Sequence, residues 1–363
     1  MSFAANTYAL ETHDLTQLNL YAWLPADAQR DSKPLHAVIL LIHGMAEHAG
    51  RYADFAQTCM AQNVALYAPD LRGHGQTPAL NTKGNNPEES SAVMGHFSFA
   101  PPAKDGWNAV LDDIAAVYLH IRKTQGDVPV ILMGHSMGSY IAQAFLMKHT
   151  PQYGYDFAGV VLSGSNATSV MMLKIAQTIA KAERLREGAL GRSPLLNTLS
   201  FGKFNNAFKP AHTAFDWLSR DAAQVDAYVN DPQCGFLCTN QFWVDLLGGL
   251  VTINTRKNRE KLVKQHKNLP MYIMGGENDP VSKGGGLEKL RDAYQNAGFE
   301  QKEAIQVGLR IYADGRHEML NETNRAEVMA DILAWCFKLT AIDRRAKPAG
   351  AGWLAGLPPL PKD

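Results

Sequence analysis

The fold is decided by the stretch Val130-Ile-Leu-Met-Gly-His-Ser-Met-Gly-Ser-Tyr-Ile-Ala-Gln-Ala-Phe145. Its first four residues are apolar and predict a strand that is buried on both faces, while its last six predict a helix. Between the two lies Gly134-His-Ser-Met-Gly138. A sharp turn from strand to helix holds its serine in a strained backbone conformation, with the hydroxyl above the sheet, and the glycines leave room for neighbouring backbone. We therefore predict that Ser136 is a nucleophile; the alternative is a glycine-rich structural turn.

Strands and helices alternate on both sides of this stretch. Apolar runs predict strands at residues 7–10, 18–23, 37–42, 64–68, 130–133, 160–162, 271–274 and 305–312. Helical spacing of apolar residues predicts helices at residues 52–62, 107–124, 137–149, 287–297 and 325–339. Repeated strand-then-helix segments imply a mostly parallel central sheet with helices on both faces. The predicted fold class is therefore α/β.

The alternation stops between about residues 165 and 250, where the pattern is helical and large apolar side chains are dense. We interpret this region as a helical cap inserted into one catalytic domain. The predicted organisation is a core of residues 1–163 and 251–345, a cap of residues 164–250, and a flexible tail rich in Pro and Gly at residues 346–363. Residues 76–102 are predicted to form a long loop.

The composition excludes several classes of protein. Lys plus Arg and Asp plus Glu are each 35, so the formal net charge is zero, and no global electrostatic argument favours nucleic acid or an anionic membrane. Four cysteines in 363 residues are too few for a disulfide framework. We favour buried or free thiols over a metal site, because no second Cys/His pair follows Cys234 and Cys238 at zinc spacing.

The same sequence predicts a cytoplasmic enzyme. No apolar stretch approaches the roughly 20 residues of a membrane-spanning helix. The N-terminal residues lack the basic and apolar regions of a signal peptide.

A serine hydroxyl needs an adjacent base, and a strand-to-helix turn of this kind places the acid and then the histidine downstream in the chain. His317 follows the last predicted strand and is the predicted general base. His135, next to the serine, is expected to leave the turn in another direction. Asp279, just beyond the preceding strand, is predicted to orient His317 and to stabilise its imidazolium. Glu277 is the competing acid, and an Asx turn is the alternative role for Asp279.

The tetrahedral intermediate of acyl transfer needs two N–H donors for its oxyanion. We predict that the backbone N–H of Met137 is one donor and that of Met45, in the loop after Ile42, is the other. The alternative is an ordinary glycine turn in which Met45 only packs. Asp70-Leu-Arg-Gly-His-Gly75 is predicted to support this loop through a network of turns, and direct substrate contact by Arg72 or His74 is the less favoured role.

Taken together, five motifs resemble the α/β-hydrolases, and more narrowly the monoacylglycerol lipase and lysophospholipase branch, often labelled serine aminopeptidase-like. The motifs are His43-Gly-Met-Ala-Glu-His-Ala-Gly-Arg-Tyr52, Asp70-Leu-Arg-Gly-His-Gly75, Gly134-His-Ser-Met-Gly138, Gly275-Gly-Glu-Asn-Asp279 and Gly315-Arg-His-Glu-Met-Leu-Asn-Glu322. The resemblance runs in order from about residue 35 to residue 340. It implies the α/β-hydrolase fold, the triad Ser136, Asp279 and His317, and the oxyanion donors Met45 and Met137.

The resemblance further implies a serine hydrolase that cleaves carboxylic esters of lipids through an acyl-enzyme. No metal and no organic cofactor is expected. The expected partner is a small lipid ester, with no nucleic acid and at most transient contact with a membrane surface. The aromatic and Met residues of the cap are consistent with an apolar acyl tunnel, although simple burial of the cap explains most of them. The long loop at residues 76–102 and the tail depart from the family, which leaves substrate preference open.

Three other activities use the same triad: aminopeptidase, thioesterase and acyltransferase. An aminopeptidase needs an acidic pocket for the substrate ammonium, for which Glu183, Glu187 and Asp216 are available. Monoacylglycerol and lysophospholipid are equally open as substrates. A phosphate head group would need a nearby cation, and the cap offers Lys174, Arg184, Arg192 and Lys203. The oligomeric state and the acyl chain length also stay open.

Overall fold

Strands β1 to β8 form one sheet in the computed structural model, which describes residues 5–26, 34–82, 92–98, 105–149, 154–266, 269–299 and 307–346. The strands are β1 (Asn6–Glu11), β2 (Gln17–Trp23), β3 (Ala37–Ile42), β4 (Val64–Pro69), β5 (Val130–His135), β6 (Gly159–Ser163), β7 (Met271–Gly276) and β8 (Val307–Tyr312). Their order in the sheet is β1-β2-β4-β3-β5-β6-β7-β8. β2 is antiparallel to both of its neighbours, and the other pairs are parallel. The predicted α/β fold with a mostly parallel sheet is confirmed.

The central strands consist mainly of apolar residues because helices cover both faces of the sheet. Every residue of β3 to β7 is buried. Alternate side chains of β3 enter two different cores: Val38 and Leu40 pack on one side, and Ile39 and Leu41 on the other. A strand buried on both faces reads as a continuous apolar run. This explains why these strands could be recognised without an alternating pattern.

The helices are listed here in chain order: α1 (Ala53–Ala61), α2 (Thr77–Asn81), α3 (Gly106–Gln125), α4 (Met137–Lys148), α5 (Val170–Glu187), α6 (Pro194–Phe201), α7 (Ala222–Asn230), α8 (Asn240–Ile253), α9 (Arg256–Gln265), α10 (Gly286–Asn296) and α11 (Arg325–Ala346). Short 3₁₀ helices span Ala49–Tyr52, Phe204–Phe208 and Met319–Asn321. Side chains of α3, α4 and α10 pack in one core, and side chains of α1 and α11 pack in the other. None of the helices within the described ranges is both long and apolar enough to cross a bilayer.

Helices α5 to α9 lie between β6 and β7. The predicted cap contains α5 to α7 and most of α8, whereas α9 falls in the predicted core. α8 packs against α5 of the cap but also against α3 and α4. The proposed boundary at residue 250 falls inside α8, so the division into core and cap stays a proposal. The loop predicted at residues 76–102 contains α2, and its residues 83–91 and 99–102 lie outside the described residues, as does the predicted tail from residue 347 onward.

Candidate active site

Ser136 lies in the turn between β5 and α4, with φ 52° and ψ −120°. Such a conformation costs a non-glycine residue about 1–3 kcal/mol and persists only where the surroundings enforce it. The flanking glycines explain how the turn fits against β3. A Cβ on Gly138 would lie 2.0 Å from the Ile42 carbonyl oxygen, and one on Gly134 would lie 2.3 Å from the Gly138 carbonyl oxygen. The strained turn from strand to helix that the sequence predicts at Ser136 is therefore confirmed.

His317 and Asp279 meet beyond the ends of β8 and β7. Nδ1 of His317 lies 3.0 Å from Oδ1 of Asp279, and both side chains are buried. Burial alone would lower the pKa of His317, but the charge and hydrogen bond of Asp279 raise it above its ordinary value. The Val281 N–H also donates to Oδ1 of Asp279 at 2.8 Å, so the Asx turn coexists with this pair. The competing carboxylate, Glu277, is exposed and accepts a hydrogen bond from the Asp314 N–H instead.

The expectation that the His135 side chain leaves the turn in another direction is wrong. His135 is among the residues that line the cavity, and its ring centroid lies 4.7 Å from that of His317. His135 is the last residue of β5 and pairs with Ser163, so its ring packs over Gly164, which also contacts His317. Burial first, and then the neighbouring His317, lower the pKa of His135 to about 4. A histidine with this environment is neutral at physiological pH.

The loop at residues 43–48 brings Met45 beside Ser136. An added Cβ on Gly44 would lie 3.4 Å from Cβ of Ser136, and Met45 lines the cavity. Oε1 of Glu47 accepts the Gly44 N–H at 2.6 Å, which curls the loop. Met137 is buried at the first position of α4, where a backbone N–H has no intrahelical acceptor.

The network predicted around Asp70 is confirmed. Oδ1 of Asp70 accepts the Ala49 N–H at 2.8 Å, and Nε2 of His43 accepts the Leu71 N–H at 3.0 Å. Arg72 is fully buried and pairs with Asp113. Neither Arg72 nor His74 is among the described residues that line the cavity, so this segment supports the 43–48 loop from behind.

Sequence reasoning missed a buried ion-pair network next to His317. Nη1 of Arg51 lies 2.7 Å from Glu47 and 2.7 Å from Glu318, and Nη2 makes a second bond to Glu318. Burial would raise the pKa of Glu318, but the Arg51 guanidinium holds it well below its usual range. The network therefore joins the 43–48 loop to the residue after His317. Glu47, Arg51 and Glu318 all belong to motifs of the sequence, but a motif does not show which charged side chains form ion pairs.

A cavity of about 320 Å³ opens between Ser136 and the helical segment that connects β6 and β7. The aromatic side chains that line it come from this segment and include Phe201, Phe215, Trp217, Phe236 and Trp243. The Trp217 ring lies 5.1 Å from the His317 ring. Polar lining groups include Asn197, Thr198 and Tyr228. The cavity is thus an apolar pocket with a few polar groups, the usual composition of a small-molecule site.

One cluster carries side chains of metal-ligand type. His48, Asp231 and Cys234 bring three ligand atoms within 4.8 Å of one another. Nδ1 of His48 accepts the Gly50 N–H at 3.2 Å, so the neutral ring carries its proton on Nε2, which lies 2.8 Å from Asp231. A metal on Nε2 would need that position free of its proton. The hydrogen bonds of His48 therefore fit a link between protein groups better than a metal ligand.

The fold and the serine, histidine and carboxylate at the ends of its strands define an α/β-hydrolase. Residues 33–324 match the family described as serine aminopeptidase, S33, and the chain belongs to this family. It is 24% identical to a monoacylglycerol lipase of Mycolicibacterium smegmatis over 314 residues, which cover 86% of this chain and 90% of the relative. It is also 24% identical to the monoglyceride lipase of Homo sapiens, with 86% of each chain covered.

Solved structures show the same fold. A thermostable carboxyl esterase from Bacillus coagulans, in complex with glycerol, aligns with a TM-score of 0.74 at 19% identity and covers 93% of this chain and 99% of its own. A soluble variant of the Saccharomyces cerevisiae monoglyceride lipase aligns with a TM-score of 0.62 at 18% identity, covering 93% of this chain and 95% of its own. At these identities the structural likeness concerns the fold.

Proposed function

We propose that this protein hydrolyses the ester bond of monoacylglycerols through an acyl-enzyme on Ser136. Ser136, Met45 and His317 line one cavity, and Asp279 pairs with His317 behind it. Nε2 of His317 takes the hydroxyl proton as Oγ of Ser136 attacks the ester carbonyl, and the N–H groups of Met45 and Met137 stabilise the oxyanion. The C–O bond of the alcohol then breaks, and glycerol leaves with the proton from His317. Water, activated by the same histidine, hydrolyses the acyl-enzyme.

The observation that carries the proposal is the aromatic cavity above Ser136. Phe201, Trp217 and Trp243 offer apolar surface to an acyl chain. Burying one CH₂ group contributes about 0.8 kcal/mol, or about four-fold in kcat/KM per carbon. An apolar cavity of this kind supports an acyl substrate over a polar peptide.

The charges around the cavity support a neutral head group. Among the described residues that line it, the carboxylates are Glu47 and Glu318, and no Lys or Arg is present. Arg51 pairs with both carboxylates from behind. Because Arg51 already pairs with both carboxylates, a phosphate would find no free cation among the described lining residues, which disfavours it. These charges favour monoacylglycerol over lysophospholipid, two substrates that the sequence left open.

The acidic residues considered for an aminopeptidase do not support that alternative. Glu183 pairs with Arg186 and Ser193, and Asp216 accepts backbone N–H groups of residues 212 and 213. In the described part of the chain, neither these two nor Glu187 lines the cavity. A thioesterase or acyltransferase would use the same cavity, and substrate tests must separate them.

A substrate panel tests the proposal. We expect kcat/KM for p-nitrophenyl esters to rise about four-fold per CH₂ until the cavity is filled. We also expect 1-oleoylglycerol to exceed 1-oleoyl-lysophosphatidylglycerol, whose head group is anionic, at least about ten-fold, since one uncompensated charge contact of about 1.4 kcal/mol gives that ratio. Equal rates on these two lipids, or faster hydrolysis of oleoyl-coenzyme A or of aminoacyl p-nitroanilides, would contradict the proposed substrate class.

We further propose transient contact of the cap with a lipid surface. On α6, Asn197, Thr198 and Phe201 line the cavity, while Leu195 and Leu199 on the opposite side are exposed. On α5, exposed apolar side chains include Met171, Met172 and Leu185, the last with 83% of its surface accessible. Exposed apolar groups beside the cavity would insert into a lipid interface and bring substrate to its mouth.

The double variant Leu195→Ser/Leu199→Ser tests this contact. Two leucines that lose partial burial in lipid, at about 0.7 kcal/mol each, should lower hydrolysis of vesicle-borne 1-oleoylglycerol about ten-fold. Hydrolysis of soluble p-nitrophenyl butyrate should not change. Leu15→Ser is the matched control, because Leu15 is 72% exposed in the turn after β1 and is not among the described residues that line the cavity. An equal loss on both substrates would argue against a lipid contact.

A further inference from the structure

Ala46, the residue after the predicted oxyanion donor Met45, adopts an unusual conformation. Its φ is 53°, in the left-handed region that a residue with a Cβ rarely adopts. A conformation of this kind must be held by its surroundings. Oε1 of Glu47 holds the loop on one side of Met45, through the Gly44 N–H. The groups that hold the other side come from a distant part of the chain.

Those groups belong to one cap segment, residues 228–235. The Tyr228 hydroxyl donates to the Ala46 carbonyl at 3.0 Å, and the Gly235 N–H donates to the same oxygen at 2.9 Å. A third contact joins Nε2 of His48 to Asp231 at 2.8 Å. Tyr228 is 6% exposed, and Arg51 lies 4.8 Å from its ring centroid. We name Tyr228, Asp231 and Gly235 the cap clasp.

We propose that Tyr228 is a positioning residue for ester hydrolysis, which acts by fixing the peptide of Met45 through the Ala46 carbonyl. This inference rests on the function proposed above. The Met45 amide lies between two anchored peptide groups, Gly44 on the core side and Ala46 on the cap side. Oxyanion stabilisation requires that the donor be held in place before the charge develops. The cap is thus part of the machinery that forms the oxyanion site, in addition to covering the acyl cavity.

Tyr228→Phe tests the inference, because it removes the hydroxyl and keeps the ring. Losing one donor of an oxyanion site costs about 10²–10³ in kcat, and loosening one costs less. We expect kcat on p-nitrophenyl acetate to fall about ten-fold with KM nearly unchanged. The acetyl group is too short to depend on the aromatic cavity, so a lining role for the ring would leave this substrate unaffected.

A second readout isolates the oxyanion. An alkyl trifluoromethyl ketone adds Ser136 to give a hemiketal oxyanion, whereas the corresponding alcohol cannot. We expect Tyr228→Phe to raise the inhibition constant of the ketone about ten-fold and to leave that of the alcohol unchanged. Tyr294→Phe is the matched control, since its buried hydroxyl donates one hydrogen bond to Gln143 in the core.

The outcomes separate the two proposals. If wild type hydrolyses esters and Tyr228→Phe loses no more kcat than Tyr294→Phe, the positioning role is wrong and the proposed function stands. If wild type is inactive on all esters, the proposed function fails first. If Tyr228→Phe does not fold, Asp231→Ala replaces it, because Asp231 is partly exposed and holds the same loop through His48. That variant should lower kcat on the acetate about three-fold, and an unchanged kcat would overturn the clasp.

Discussion

Ser136→Ala is expected to abolish ester hydrolysis, with a fall in kcat of about 10⁴-fold or more. Without the Oγ nucleophile no acyl-enzyme forms, and the remaining groups give only the residual rate of a bound substrate near water. The substitution keeps the Cβ, so the strained turn at φ 52° gains no new clash. The measurement is steady-state hydrolysis of 1-oleoylglycerol and p-nitrophenyl butyrate, with thermal unfolding of both proteins.

Ser169→Ala is the matched control for this variant. Ser169 is exposed at the start of α5, and its side chain makes no cap hydrogen bond. Its replacement should leave kcat within two-fold of wild type, the scale of a neutral surface change. A Ser136→Ala protein that folds and keeps more than about 1% of the activity would argue for another nucleophile.

Asp279→Asn is expected to lower kcat about 10³–10⁴-fold. The carboxylate holds Nδ1 of His317 at 3.0 Å and stabilises the imidazolium that forms during attack. An amide in its place can present a donor to Nδ1, which favours the wrong tautomer. Glu277→Gln is the matched control, because Glu277 was the competing acid in the sequence and is exposed in the structure. It should stay within about three-fold of wild type. A larger loss in Glu277→Gln than in Asp279→Asn would reverse the assignment of the acid.

The pH dependence of kcat/KM gives a second test of the pair formed by Asp279 and His317. The base acts when His317 is neutral, so kcat/KM should fall as the pH drops through the pKa of His317. Asp279 raises that pKa above the ordinary 6.5, which places the acidic limb of wild type above pH 6.5. In Asp279→Asn, burial lowers the pKa of His317 and the carboxylate of Asp279 no longer opposes this effect. The acidic limb of the remaining activity should therefore move to lower pH. A limb that stays in place would mean that Asp279 does not control His317.

Much of the fold could be predicted because the central strands are buried on both faces. Continuous apolar runs such as residues 37–42 and 130–133 then stand out from the amphipathic helices between them. The position of Ser136 followed from the motif Gly134-His-Ser-Met-Gly138, and Asp279 and His317 followed from the chain order that this motif implies, after the ends of two later strands. Each of the three lies just after such a strand end. Their geometry agrees with the predicted roles, which the variants above test.

The cap contacts could not be predicted because they join residues far apart in the chain. Tyr228 and Ala46 are 182 positions apart, and no periodicity or spacing links them. The left-handed conformation of Ala46 also has no sequence signal, because glycine or asparagine would be expected there. The prediction for the direction of the His135 side chain was wrong for a related reason. It depends on the pairing of His135 with Ser163, which brings the ring over Gly164 toward His317.

The central claim, an acyl-enzyme on Ser136, is tested most directly by trapping the nucleophile. The protein is incubated with an alkyl fluorophosphonate, digested, and mapped by mass spectrometry, with Ser136→Ala treated in parallel. The account predicts a single adduct on the peptide that contains Ser136, complete loss of labelling in the variant, and slower labelling when 1-oleoylglycerol competes. An adduct on another serine, or labelling that persists in Ser136→Ala, would contradict it.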